Sequence, residues 1–135
     1  MPDFTVEYQG NLRTKMTHLR SGSEVITDAP VDNNGQGKSF SPTDLVSSAL
    51  ASCVMTILGI KARDMGFETV EMFAEVSKTM GSNPRRIAKI EIALHVKIDG
   101  VSEKQQMVLE RTTRACPVAK SLHPDTHEEI TFIWK

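Results

Sequence analysis

The stretch Ser41–Gly66, SPTDLVSSALASCVMTILGIKARDMG, most narrows what this chain can fold into. It predicts one long helix with Cys53 near its middle. Ser41 suits an N-cap, and Pro42 falls at the first helical position, where a missing N–H costs nothing. Asp44, three residues after the cap, can reach back to the cap N–H and meets the positive end of the helix dipole. Lys61 and Arg63 precede Gly66, which stands where a helix-ending glycine belongs. From Ser47 to Ser52 the side chains are small apart from Leu50, so another backbone can approach closely. From Val54 to Ile60 (VMTILGI) the run is almost wholly apolar and requires burial on most sides. Such a helix has to be wrapped by a sheet, another helix or a second subunit. Interruption by Ser, Thr and Gly, with charges close by, leads to the expectation that it is too short and too broken to span a bilayer.

A chain of 135 residues supports one domain, 1–135, burying about two-thirds of the surface its unfolded form exposes. Net charge is −1 and the pI about 6.4, which gives nucleic acid or an anionic membrane nothing to recognise. The opening residues, MPDFTVEYQG, have neither the basic nor the apolar region of a secretory signal, so the expected location is the cytoplasm. Two widely separated cysteines form no disulfide framework; in a reducing compartment they are inert or redox-active.

Phe4–Tyr8 alternates apolar and polar residues and predicts a strand with one buried face. A turn at Gln9–Asn11 leads to a second strand, Leu12–Leu19, and a turn at Ser21-Gly22 to a third, Glu24–Thr27. Residues 28–39 (DAPVDNNGQGKS) read as an exposed loop before the long helix. Val70–Met80 and Ile87–Ile98 alternate as two long strands of a hairpin turning at Gly81–Pro84. Ser102 caps a predicted helix Glu103–Arg114. Pro117–Leu122 is a further helical turn, and Thr131–Trp134 a closing strand. The order β-β-β-α-β-β-α-α-β is α+β, with antiparallel sheets and helices to one side.

Three turns into its helix, Cys53 lies beyond the reach of the dipole, so a reactive thiolate there needs a cation from elsewhere. Arg13, Arg20 and Arg85 are the available kinds of donor, and an arginine fork also suits a peroxide oxygen pair. Cys116 precedes Pro117 at a helix start, which locally ranks it as the more acidic thiol. On the residues alone, the reading of either cysteine as an inert buried residue comes first. Cys116, His123 and His127 form C-x6-H-x3-H, which matches no common zinc spacing. Gly35-x-Gly37 lacks the strand before and helix after that a nucleotide loop needs.

SPTDLVSSALASC, ending at Cys53, and CPVAKSL, beginning at Cys116, together resemble the OsmC/Ohr family of osmotically inducible and organic-hydroperoxide-resistance proteins, closest to its OsmC-like branch. The element order agrees along essentially the whole chain. The resemblance implies an OsmC-like fold with a long central helix, assembled as an intertwined homodimer with active sites at the subunit interface. It implies a thiol peroxidase without metal, haem or flavin, acting on organic hydroperoxides. Cys53 would be the peroxidatic cysteine, and Cys116 the resolving one, closing a disulfide that an external dithiol reduces. This reverses the local ranking of the two thiols. The family's arginine maps best onto Arg13, with Arg20 in reserve. Its glutamate, ten positions ahead of the first cysteine, is replaced by Thr43; the neighbouring carboxylate is Asp44, also explained as a helix-capping residue. The Thr43 departure leaves a second expectation, a non-enzymatic dimer of the same fold that binds a small molecule or senses redox state.

Overall fold

The structure is a computed structural model describing residues 1–135. It divides into two compact units, Met1–Val46 and Ser47–Lys135.

The first unit is an antiparallel meander of β1 (Phe4–Gly10), β2 (Arg13–His18) and β3 (Glu24–Asp28). Gly10, Asn11 and Leu12 all take positive φ, which tightens the first turn and produces the register shift between Tyr8 and Gly10. Pairing of β2 with β3 sets Arg13 opposite Asp28 and Thr14 opposite Thr27. Alternation in β1 suggested one buried face. Instead Phe4, Val6 and Tyr8 are 63%, 67% and 65% exposed, because no layer of this unit packs on the strand. The predicted loop is largely exposed and contains a 3₁₀ turn, Val31–Asn33. It is tied to the end of β3: Asp28 N–H donates to the Phe40 carbonyl (3.0 Å), and Lys38 N–H donates to Asp28 Oδ2 (2.9 Å).

Helix α1 runs Pro42–Asp64. Its start is the expected reciprocal box. Asp44 N–H donates to Ser41 Oγ (3.1 Å), and Ser41 N–H donates to Asp44 Oδ2 (2.9 Å). It ends in a Schellman turn. Gly66 has φ +94°, and the N–H of Phe67 returns to the Ala62 carbonyl. Its 23 residues are long and apolar enough to cross a membrane, so the expectation that it is too short does not hold. What occupies its apolar stripe is the core of the second unit, through Leu50, Ala51, Val54, Leu58 and Ala62.

That core is completed by the sheet of β4 (Glu71–Gly81), β5 (Arg86–Lys97) and β6 (His127–Trp134), in order β4-β5-β6. The central strand points Ile90, Ile92, Leu94 and Val96 inward, all essentially inaccessible. Arg86 clamps the hairpin turn, donating from Nη1 to the Ser82 and Pro84 carbonyls (both 3.0 Å). The predicted fold class is α+β and that is what is found, but one strand pairing departs from expectation. β6 runs parallel to β5, with Ile92 opposite Ile130 and Leu94 opposite Phe132. The chain between them, carrying α2 (Glu103–Thr112) and α3 (Pro117–Ser121), is long enough for the crossover that a parallel pair demands. β6 also begins four residues earlier than predicted, because Glu128 occupies a position on the face that otherwise carries Ile130, Phe132 and Trp134.

Candidate functional site

Cys53 and Cys116 meet in the second unit. Cys53 stands at the edge of the buried stripe of α1 and remains half-buried. Cys116 is brought to it by the end of α2. Ser102 and Gln105 cap that helix reciprocally, and the helix tightens into a 3₁₀ turn at Thr113–Ala115. Buried Thr113 donates its hydroxyl to the Glu110 carbonyl (2.6 Å) and accepts the Cys116 N–H at its own carbonyl (3.1 Å). Cys116 then caps α3, its Sγ accepting the Ala119 N–H at 3.5 Å, with Pro117 at the first helical position. The cysteine backbone is held on both sides, its N–H by the Thr113 carbonyl and its carbonyl by the Lys120 N–H (3.1 Å).

Neither cysteine is in a disulfide, and the Cys116 side chain interacts with that of Cys53. Burial pushes the Cys116 thiol up from its ordinary value, and the interaction with Cys53 pushes it the same way. The amides of Ala119 and Val118 oppose this without reversing it. The expectation that the helix start favours a thiolate at Cys116 is thus not met. A short helix start lends a few amides, but complete exclusion from water outweighs them. The pair consists of one thiol reachable from outside and one sealed beneath it. Such a pair can trap an oxidised sulfur on the first with the proton-bearing second.

The other predicted residues belong to the first unit and are described there. Arg13 Nη2 lies 3.5 Å from Asp28 Oδ2 and donates to Gln36 Oε1 at 3.3 Å. Arg20 sits in the exposed turn before β3. Asp44 takes part in the cap of α1, where Thr43 Oγ1 lies 3.1 Å from Ser41 Oγ. Cys116, His123 and His127 do not converge on a metal-binding group. His123 instead accepts the Asp125 N–H in a turn (3.0 Å), and His127 lies exposed on β6. Sequence reasoning missed Asp28 and Gln36 as partners of Arg13. The signal was available for Asp28 alone: counting outward from the Ser21-Gly22 turn sets it across from Arg13.

The model of the OsmC-like protein family matches residues 35–130. A protein of Psychrobacter arcticus 273-4, provisionally named for an osmotic stress induced and detoxification response, is 47% identical over 98% of this chain and 96% of its own, with a TM-score of 0.89. The fold is shared at lower identity by two organic hydroperoxide resistance proteins. That of Legionella pneumophila is 19% identical (96% of this chain, 94% of that one, TM-score 0.69). OhrB of Bacillus subtilis is 17% identical (96% and 95%, TM-score 0.65). No curated protein sequence matches the chain.

Proposed function

The chain belongs to the OsmC-like protein family, and on that premise we propose that it reduces organic hydroperoxides through the Cys53–Cys116 dithiol. The observation that carries this reading is the meeting of a half-buried and a fully buried free thiol in one core, where the two side chains interact. The resistance proteins that share the fold lend it support by their names. In the first step the Cys53 thiolate attacks the O–O bond; one oxygen stays on sulfur as sulfenic acid, and the other leaves with a proton as alcohol. In the second step the Cys116 sulfur attacks that sulfenic sulfur, water leaves, and a disulfide forms. An external dithiol then restores both thiols and is itself oxidised to its disulfide. Arg13 supplies the cation that favours the Cys53 thiolate and grips the peroxide, while Asp44 fixes the start of the helix that carries Cys53.

The protein works as a cytoplasmic homodimer of single-domain chains. Supporting this, β1 leaves Phe4, Val6 and Tyr8 exposed in one row, the kind of strip a second copy would cover. The test is turnover of cumene hydroperoxide with dithiothreitol or dihydrolipoamide. Cys53→Ser abolishes it; Cys116→Ser permits one turnover and leaves a sulfenic acid that dimedone labels. Undiminished turnover in Cys53→Ser would contradict the proposal. Thr43, standing where the family's peroxidases carry glutamate, favours one alternative: a dimer that senses redox state or binds a small molecule. In that case both thiols persist for many minutes beside the peroxide.

A further inference from the structure

Among the buried residues of Ser47–Lys135, only Ser47 and Thr113 carry a hydroxyl. Thr113 is 4% exposed, and a valine would fill the same space without a hydroxyl to satisfy. Both donors of Thr113 reach one acceptor: its N–H and its hydroxyl (2.6 Å) meet the Glu110 carbonyl. That double capture draws the end of α2 into the tighter 3₁₀ turn Thr113–Ala115. Glu110 is itself held from β6, since its Oε2 accepts Trp134 Nε1–H at 3.0 Å. On the other side the Thr113 carbonyl accepts the Cys116 N–H (3.1 Å). Cys116 is a one-residue joint: the 3₁₀ turn ends at it, and α3 begins just after it. A row of hydrogen bonds therefore runs from β6 through Glu110 and Thr113 to the backbone of the buried cysteine. A disulfide closes only when two cysteines meet in a narrow geometry, so a sealed partner has to be set in place by its backbone.

We propose that Thr113, braced by Glu110 and Trp134, is the positioning residue for the second step: it presents Cys116 to the oxidised Cys53 and sets how fast the disulfide closes. The inference rests on the reading of the pair as a peroxidatic and a resolving thiol, and every residue in it belongs to the second unit. The step balances on the two cysteines alone. The Cys116 sulfur attacks the Cys53 sulfenic sulfur, the S–O bond breaks as the S–S bond forms, and the hydroxyl leaves as water with the Cys116 proton. Thr113 acts through the Cys116 backbone N–H and not on either sulfur. Its loss therefore slows closure and leaves the first attack on peroxide as it was.

The test uses the full-length reduced protein and two oxidants. With cumene hydroperoxide, dimedone trapping and intact mass follow the lifetime of the Cys53 sulfenic acid. The aromatic disulfide dithiobis(nitrobenzoate) needs no peroxide chemistry. The Cys53 thiolate takes one half of it and releases a coloured thiolate; Cys116 then displaces the other half as the protein disulfide forms. The first phase reads Cys53, and the second reads the presentation of Cys116. Thr113→Val keeps the shape and loses the hydroxyl. It is expected to slow the second phase and lengthen the sulfenic lifetime by up to about 100-fold, the scale of a misplaced reacting partner, with the first phase unchanged. Thr113→Ser keeps the hydroxyl and should restore closure. Trp134→Phe loosens the brace, should slow closure by less, and should add nothing in a Thr113→Val background. Circular dichroism and thermal unfolding show which variants fold; without a folded Thr113→Val, the comparison of Trp134→Phe with Thr113→Ser decides. Equal second phases in the wild type and the folded Thr113→Val or Trp134→Phe overturn the inference. So do equal slowing of both phases, and a Thr113→Ser as slow as Thr113→Val. A wild type that releases one coloured thiolate and not two overturns it as well. If the wild type closes its disulfide with the aromatic reagent but resists hydroperoxide, the peroxidase reading falls, and the second phase still decides the role of Thr113.

Discussion

The two units solve the problem of burial in opposite ways. Ser47–Lys135 encloses a hydrophobic core in which helix α1 lies against the inward side chains of β5, every one of them apolar. Within Met1–Val46 the fully buried side chains are Thr27, Asp28 and Ser41, all polar, while the aromatic and aliphatic residues of β1 face outward. The second unit therefore carries its stability internally. The first holds its shape by strand pairing, by the bond between Asp28 and Lys38 and by the helix cap, and offers its apolar surface to something outside itself. The same division separates the candidate residues: Cys53 and Cys116 belong to the second unit and Arg13 to the first.

This contrast can be broken most sharply at Leu94. Leu94→Ala removes a fully buried side chain from the centre of β5 and should cost about 2–5 kcal/mol of stability in urea unfolding. Tyr8→Ser in the exposed row of β1 should cost less than about 1 kcal/mol in the isolated chain, yet weaken the proposed homodimer in sedimentation at low concentration. If Tyr8→Ser leaves association unchanged, the exposed row is not the covered surface.

Two carboxylates sharpen the comparison through pH, with opposite signs. Asp28 has its carboxyl held below the ordinary 3.8, chiefly by the Lys38 N–H and also by Arg13, against the opposing effect of burial. Its contribution is present in full above pH 3.8 and is lost as pH falls through the lower folded value. Wild type should therefore exceed Asp28→Asn in stability at pH 7, and the gap should close in acid. Glu128, on β6, has its carboxyl raised above 4.5 by burial, with Lys120 and His127 acting against the shift. Folding there disfavours the ionised form, so wild type loses stability as pH rises from 4.5 through the raised value. Glu128→Gln should be the more stable protein at pH 7 and no more stable near pH 4. Denaturant midpoints at the two pH values check both.

What was legible in the sequence is what depends on near neighbours. The Ser41/Asp44 box, the Gly66 stop and the alternations of β4 and β5 are patterns of a few residues, and each is found where it was expected. The parallel seating of β6 was not legible, since direction follows from the helical crossover and Glu128 interrupts the apolar alternation at the strand's start. The expectation of a favoured thiolate at Cys116 failed for a related reason. The amides around Cys116 are local and visible, but its exclusion from water is built by α1 and the sheet. The pairing of Arg13 with Asp28 lies between: it is written in the strand register, which becomes readable once the turn is located.

The most direct measurement mixes reduced protein with one equivalent of cumene hydroperoxide and follows free thiols and intact mass over seconds. The account predicts loss of both thiols together, a mass decrease equal to their two hydrogens, and no such change in Cys53→Ser. Persistence of both thiols for many minutes would contradict it and leave the dithiol as a sensor or a structural pair.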